Sequence, residues 1–247
     1  MSFKDLILDK PYSIGSWIQS SDSRIVELMA KSNLDWLVID MEHSPISFQL
    51  MTTFIQIISL SNKKSFVRVG ENNNLNIKQA LDAGADGVIV PYIQNIEQAK
   101  LAVSYSKYPP DGMRGVGLSR AQGFGRSFTE YFANANDKTS LILQIEDFNG
   151  IENLEEILSL NEVDGLMVGP YDLSCSIGAP GDFEDARFTN YLEKFEKLVI
   201  GSNKFAGYHV VSGGHQKLES IIEKGYKFIA YGTDMVFMSE KLDLEFE

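Results

Sequence analysis

Residues 140–146 read Ser-Leu-Ile-Leu-Gln-Ile-Glu, an almost unbroken apolar run that ends in a carboxylate. A strand with one face in solvent alternates apolar and polar residues, whereas a parallel strand covered on both faces does not. The run therefore predicts a buried parallel strand. The stretches WLVIDME (36–42), GVIVPY (87–92) and GLMVGP (165–170) have the same character.

Outward from this run, strand candidates recur along the whole chain. They occupy residues 12–19, 36–42, 65–69, 87–92, 140–146, 165–169, 205–210 and 228–232. Segments with helical spacing separate them, and Asn95, for example, opens a helical pattern that Pro109 and Pro110 end. An open doubly wound sheet usually has a glycine-rich turn after its first strand, which this chain lacks. We therefore predict an α/β protein with one domain, a (β/α)8 TIM barrel over residues 1–247.

The composition argues against several classes of partner. The chain has 22 Lys and Arg against 34 Asp and Glu, a net charge of −12, which repels the phosphates of nucleic acids. No apolar run approaches the ~20 residues of a membrane span, and the first residues lack a signal-peptide core. Cys175 is the single cysteine, so an intrachain disulfide is impossible. We expect a cytoplasmic protein that binds neither nucleic acid nor membrane.

One connection, between the fourth and fifth strands, is much longer than the others. It includes PPDGMRGVGLSRAQGFGRS at residues 109–127, with Arg114, Arg120 and Arg126. Long connections without regular structure tend to be functional, although a flexible surface excursion is the alternative.

Polar residues gather where the predicted strands end, and in a barrel of this kind the active site lies at those C-terminal ends. They are Asp40, Glu42, His43, Arg68, Gln144, Glu146 and Asp172. Glu146 and Asp172 close apolar strands, and two acids facing one another there would repel unless a cation neutralised both. A divalent ion with oxygen ligands fits this pair. A pair of salt-bridged acids and a glycosidase-type acid pair are the alternatives.

His43 and Arg68 suggest proton transfer and charge stabilisation. An imidazole suits proton transfer when a neighbour fixes its tautomer, and Asp40 and Asp82 are both candidates for that neighbour. The guanidinium of Arg68 can hold a carbonyl or carboxylate oxygen, and it can also pair with Asp40 or Asp82. No lysine is placed at this rim for imine chemistry, so an enolate formed there would need a metal ion.

Several long motifs occur in one order along the chain. They are DWLVIDMEHSP (35–45), VRVG (67–70), IKQALDAGADGVIVPYIQN (77–95), YPPDGMRGVGLSRA (108–121), LILQIE (141–146) and VDGLMVGPYDLSCSIG (163–178). Together they resemble the HpcH/HpaI aldolases, metal-dependent class II aldolases that act on pyruvate. The resemblance implies a barrel of the phosphoenolpyruvate/pyruvate type. It also implies a hexamer in which the last helix packs on a neighbouring subunit.

The resemblance further assigns roles to residues. It implies that Glu146 and Asp172 bind Mg²⁺, Mn²⁺ or Co²⁺, and that the ion chelates pyruvate. It implies that Arg68 binds the keto oxygen and stabilises the enolate, and that His43 shuttles protons with a water molecule. The expected catalytic residues are thus His43, Arg68, Asp40 and Asp82.

Backbone amides around residues 169–173 are expected, on the same resemblance, to hold the pyruvate carboxylate. The RGVG loop from Arg114 is expected to reach the active site and shape the aldehyde pocket across a subunit contact. The expected substrate-binding positions are Gln144, Gly169, Pro170, Tyr171, Asp172, Leu173, Arg114, Arg120 and His209. Tyr208 and His209 stand where several relatives have small or aliphatic residues, a departure that could change which aldehyde fits.

The function implied is reversible cleavage of a 4-hydroxy-2-oxo acid to pyruvate and an aldehyde through a metal-stabilised enolate. One alternative is a citrate-synthase-like condensation of oxaloacetate with acetyl-CoA on the same site. A second is a barrel without catalytic activity that binds a 2-oxo acid.

Overall fold

The strands close into a barrel in the computed structural model, which describes residues 3–211 and 214–246. All eight are parallel, and each pairs with its neighbours in chain order until β8 returns to β1. They are β1 (Ser13–Ile18), β2 (Trp36–Asp40), β3 (Lys64–Arg68), β4 (Gly87–Val90), β5 (Ser140–Ile145), β6 (Gly165–Val168), β7 (Phe205–Val210) and β8 (Phe228–Thr233). The predicted (β/α)8 TIM barrel is confirmed.

Helices connect the strands on the outside of the barrel. They are α1 (Phe3–Asp9), α2 (Ser23–Ala30), α3 (Phe48–Leu60), α4 (Asn74–Asp82), α5 (Ile96–Ser106), α6 (Phe128–Lys138), α7 (Phe148–Glu152), α8 (Leu154–Leu158), α9 (Pro170–Ser176), α10 (Ala186–Ile200), α11 (Gly214–Glu223) and α12 (Asp234–Phe246), with a 3₁₀ turn at Arg120–Gln122. Several of these helices have a side-chain cap at the N-terminus: Asp22, Ser47 and Asn95 each accept a backbone N–H from the first turn of the following helix. None of the helices described is long and apolar enough to span a membrane.

The interior of the barrel is apolar from the N-terminal ends of the strands up to the polar layer at their C-terminal ends. Its lowest layer is aromatic: the rings of Trp36 and Phe228 stack at 3.9 Å between centroids, and Phe66 meets both. Glycine on a neighbouring strand makes room for these rings, because a Cβ at Gly15 would lie 2.0 Å from the Trp36 ring. Phe3 of α1 closes this end of the barrel and packs on Phe66 and Phe228.

The end that α1 closes is the N-terminal end of the strands, where the strand-flanking lysines also lie. Lys64 begins β3, and Lys204 and Lys227 directly precede β7 and β8. This placement agrees with the expectation that these lysines stand far from the active-site rim. The opposite end of the barrel carries the polar layer described next.

Candidate active site

Inward-facing positions change from apolar to polar at the C-terminal ends of the strands. The apolar interior includes Trp17, Ile142 and Met167. Arg68 on β3 and Gln144 on β5 occupy the next inward-facing positions towards the C-terminal ends of their strands. Both side chains are nevertheless buried, with 8% and 4% of their surface exposed. A buried polar layer on top of an apolar core places hydrogen-bonding groups where a substrate enters.

Arg68 is held rigidly within this layer. Its Nε donates to Oδ1 of Asp40 at 3.0 Å and its Nη2 to Oδ2 at 2.7 Å, while Gln19 donates to the same carboxylate at 3.2 Å. The guanidinium lies 4.3 Å above the centre of the Trp17 ring. Burial opposes ionisation of Asp40, but the hydrogen bonds and charge of Arg68 outweigh it and lower the pKa of Asp40. The pair forms because Asp40 and Arg68 are register partners on β2 and β3.

The carboxylate of Glu146 is buried and is held by both of its oxygens. The backbone N–H of Tyr92 donates to Oε1 at 2.8 Å, and Gln144 Nε2 donates to Oε2 at 2.6 Å. Burial raises the pKa of Glu146 to about 8, and the charges of Glu42 and Asp172 add to the effect. A cation beside these acids would therefore favour the ionised form of Glu146.

Glu42 is a member of this cluster that the sequence analysis did not assign a role. Its Oε2 lies 3.2 Å from Arg68 Nε and 3.7 Å from His43 Nε2. Burial raises its pKa, with Asp40 and Asp172 adding to the rise while Arg68 and His43 oppose it. Its spacing of two residues from Asp40 gives the signal that could have identified it.

Asp172 approaches the cluster from the first turn of α9. The turn leaves the N–H groups of Tyr171 and Asp172 without a partner in the described part of the chain, whereas Leu173 donates to the carbonyl of Gly169 at 2.9 Å. Pro170 is the first residue of this helix and has no N–H to donate, so it cannot bind a carboxylate through its backbone. Of the five expected positions, Tyr171 and Asp172 offer free N–H groups.

Gly169 fits tightly against the carboxylate. A Cβ at this position would lie 2.9 Å from both Cβ and Oε2 of Glu146 and 3.3 Å from Nε2 of Gln144. A side chain of any size there would displace the two residues. Glycine is therefore required by space.

His43 lies at the rim, and neither candidate carboxylate contacts its ring. Its side chain is 62% exposed. Asp40 accepts the backbone N–H of His43 at 3.2 Å and otherwise binds Arg68. Asp82 is the last residue of α4, which runs back to the N-terminal end of the barrel, and it pairs there with Arg114 at 2.7 Å. Within this chain neither acid orients the imidazole, and Asp82 lies outside the site; the acid nearest the ring is Glu42. A role for Asp82 at a neighbouring subunit's site stays a prediction.

The two expected arginines of the long connection lie at the opposite end of this chain's own barrel. Arg114 is buried between Asp82 and the ring of Tyr108, 4.5 Å from its centre. Arg120 Nη1 donates to the carbonyl of Ala83 at 2.8 Å. The connection is therefore packed against α4 and α6, and neither arginine reaches the site of its own subunit. A role at a neighbouring subunit's site stays a prediction.

The side chains of Tyr208 and His209, which are consecutive on β7, point in opposite directions. Tyr208 points outward into the helix layer, where its ring meets Tyr226 at 5.3 Å. His209 points inward, donates from Nε2 to the carbonyl of Gly232 at 3.1 Å and packs on Trp17 at 5.3 Å. Burial lowers the pKa of His209 to about 4, so the ring is neutral at pH 7. Only His209 is placed to affect the pocket.

Comparison with known proteins agrees with this architecture. The family model described as HpcH/HpaI aldolase/citrate lyase matches residues 13–240. The chain belongs to this family. A 2-keto-3-deoxy-L-rhamnonate aldolase of Klebsiella pneumoniae is 36% identical over 98% of this chain and 90% of the relative. Its counterpart in Escherichia coli K12 is 34% identical over the same shares of the two chains.

Solved structures of HpcH/HpaI proteins have the same fold. A family member from Burkholderia cenocepacia superposes with a TM-score of 0.92 at 28% identity, covering 98% of this chain and 96% of that one. The citrate synthase SbnG superposes with a TM-score of 0.88 at 24% identity, covering 99% and 95%, a likeness of fold alone. Membership of the HpcH/HpaI family, together with its aldolase relatives, makes this protein a carbon–carbon lyase.

The residues present fit a divalent cation of the kind on which HpcH/HpaI aldolases depend. No group of three His, Cys, Asp or Glu side chains in the described ranges forms a metal cage. A site with one or two carboxylates, completed by substrate oxygens and water, is nevertheless typical of Mg²⁺. The charge of Asp172 adds to the cost of ionising Glu146, and Oε1 of Gln144 is buried without a partner in the described part of the chain. A cation between these groups would remove that cost.

Proposed function

We propose that this protein is a class II aldolase that reversibly cleaves a 4-hydroxy-2-oxo acid to pyruvate and an aldehyde. The observation that carries the proposal is a cluster of opposite charges at the C-terminal ends of the strands. Asp40 holds the guanidinium of Arg68, and Glu42 Oε2 lies 3.2 Å from Arg68 Nε. The buried Glu146 and the exposed Asp172 complete the group of acids. Such fixed charges stabilise an enolate without reorganisation during the reaction.

Glu146 and Asp172 would hold the divalent ion, Mg²⁺, Mn²⁺ or Co²⁺. When bound, the ion supplies positive charge for the oxygen that becomes negative in the enolate. Arg68 contributes to the same end from the protein. Asp40 occupies its Nε and Nη2, which leaves Nη1 to donate to the 2-oxo oxygen of the substrate. The free N–H groups of Tyr171 and Asp172 would receive the substrate carboxylate.

Residues at the rim of the barrel would carry out the proton transfer. In cleavage, the 4-hydroxyl loses its proton, the bond between C3 and C4 breaks, and its electron pair forms the enolate as the aldehyde leaves. His43 is exposed at the rim and would accept that proton through a water molecule. Glu42 Oε2, 3.7 Å from Nε2, would offset the positive charge that the ring gains. Protonation of the enolate at C3 then yields pyruvate.

The family also informs the substrate. The 2-keto-3-deoxy-L-rhamnonate aldolases to which this chain is similar act on a sugar-derived 2-oxo acid, as their name states. We propose a hydroxylated aldehyde as the second product. His209 is the residue of this chain placed to select it, because its neutral ring points inward and packs on Trp17, the ring over which Arg68 lies. Hexameric assembly and a cytoplasmic location stay predictions from the sequence.

The test is a screen of the full-length chain with pyruvate and a panel of aldehydes, loaded with Mg²⁺ or Mn²⁺ and repeated with EDTA. The expected result is aldol product with at least one hydroxyaldehyde and none after chelation. A parallel sample with oxaloacetate and acetyl-CoA tests the citrate-synthase-like alternative. Release of CoA without any aldol product would replace the proposed function by that alternative.

A further inference from the structure

The backbone at Tyr92 has a conformation that its side chain does not favour. Its φ is +57°, in the left-handed region, where residues other than glycine, asparagine and aspartate are uncommon. The residue is 52% exposed, so burial of the side chain does not explain the conformation. Something other than packing of the ring therefore requires it.

The left-handed conformation directs the backbone N–H of Tyr92 towards Glu146. Tyr92 N donates to Glu146 Oε1 at 2.8 Å, and the next residue, Ile93, returns to the barrel wall by donating to the carbonyl of Gln144 at 3.1 Å. Pro91, which precedes Tyr92, has no N–H and cannot replace this donor. The left-handed turn thus points consecutive N–H groups at two different partners, Gln144 on β5 and Glu146 directly after it.

The chain on the far side of the turn is fixed. Asn153 Nδ2 donates to the carbonyl of Gln94 at 3.0 Å, and a Cβ on Gly150 would lie 2.5 Å from the carbonyl oxygen of Ile93. Residues 93 and 94 therefore cannot move to relieve an unfavourable φ at residue 92. The peptide between Pro91 and Tyr92 is the part that can rotate, and its N–H is the group that binds Glu146.

We propose that Tyr92 is a positioning residue whose left-handed backbone, rather than its phenol, orients the Glu146 carboxylate for the metal ion. The inference rests on the proposed function in so far as Glu146 is a metal ligand. Partners that orient a ligating carboxylate commonly change metal affinity by 10–100-fold when they are lost. A substitution that disfavours positive φ should therefore weaken metal binding, even though the side chain is exposed.

Three variants separate the backbone from the side chain. Tyr92→Gly adopts positive φ freely, Tyr92→Phe keeps the ring without its hydroxyl, and Tyr92→Val is β-branched and disfavours the left-handed region. Mn²⁺ binding to the full-length, metal-free protein is measured by calorimetry, without substrate. We expect Tyr92→Gly and Tyr92→Phe to bind within about threefold of wild type, and Tyr92→Val to bind at least about tenfold more weakly.

Asn62→Val is the matched control. Asn62 also has a φ of +57° and is exposed, but it lies between α3 and β3 at the N-terminal end of the barrel. The same backbone conflict there should lower the melting temperature and leave the Mn²⁺ affinity unchanged. Melting curves of all variants, followed by circular dichroism, show that each is folded at the temperature of the titration.

Wild-type affinity in Tyr92→Val would overturn the inference, and so would equal losses in Tyr92→Gly and Tyr92→Val. A comparable loss of affinity in Asn62→Val would also overturn it, because the cause would then be general destabilisation. If the wild-type protein binds no Mn²⁺, the proposed function itself fails. If the wild-type protein and Tyr92→Val bind Mn²⁺ equally well, only the inference about Tyr92 fails.

Discussion

Replacing the buried Glu146 by glutamine is expected to stabilise the metal-free protein at high pH. The pKa of Glu146 is about 8 in the folded chain, against 4.5 for an ordinary glutamate. Below about pH 4.5 the carboxyl is neutral in both the folded and the unfolded chain, so its burial as a charged group does not lower the free energy of unfolding. As the pH rises from about 4.5 to about 8, the unfolded chain releases its proton first, so the folded state loses stability.

The size of the effect follows from the same values. One pKa unit corresponds to about 1.4 kcal/mol. The difference between a pKa of 4.5 in the unfolded chain and about 8 in the folded chain therefore corresponds to at most about 5 kcal/mol. Relaxation of the site and entry of water reduce this, and we expect Glu146→Gln to gain about 2–3 kcal/mol at pH 9 and almost nothing at pH 4.5. Glutamine can be accommodated, because Gln144 Oε1 is buried without a partner and can accept its amide N–H.

Urea unfolding at pH 4.5 and pH 9, in the presence of EDTA and at one protein concentration, measures the two free energies. Glu155→Gln on the exposed face of α8 is the control, and it should change neither. A Glu146→Gln variant that is destabilised at pH 9, or equally affected at both pH values, would refute the assignment of a buried, unpaired carboxylate to this position.

Three further predictions concern the other parts of the site. Arg68→Ala should lower turnover of a 4-hydroxy-2-oxo acid by roughly 10²–10³, as removal of a charge-stabilising donor does, and steady-state kinetics checks it. Gly169→Ala should weaken Mn²⁺ binding by about tenfold or more in calorimetry, because its Cβ would lie 2.9 Å from Glu146 Oε2; unchanged affinity would show that the carboxylate has room to move. His209→Ala should change kcat/KM for hydroxylated aldehydes relative to aldehydes without the hydroxyl, by about 3–10-fold for one lost hydrogen bond, and an unchanged ratio would remove His209 from the pocket.

The fold could be predicted from the sequence because the buried parallel strands leave a strong signal. Several of them, β5 among them, are nearly continuous in apolar residues, and the predicted 205–210 strand coincides with β7. An acid partner for Arg68 was also predicted, with Asp40 and Asp82 as candidates, and the register of β2 and β3 selects Asp40.

Other parts of the site depend on geometry that residue types do not encode. Asp82 is a candidate partner for His43 from the sequence, but within this chain it ends a helix that returns to the opposite end of the barrel, where Arg114 binds it. The role of Tyr92 lies in a backbone N–H and a positive φ, which the letter Y in VPY does not indicate. Glu42 was visible at the strand end, but its proximity to Glu146 arises only when the barrel closes.

Deuterium exchange at the methyl group of pyruvate tests enolate formation on the proposed cation site most directly. The full-length chain is incubated with pyruvate and Mg²⁺ in D₂O, without any aldehyde, and the methyl signal is followed by proton NMR. The account predicts that the signal disappears with wild-type protein and persists after EDTA treatment and with Glu146→Gln. Continued exchange after complete chelation, or undiminished exchange in Glu146→Gln, would contradict it.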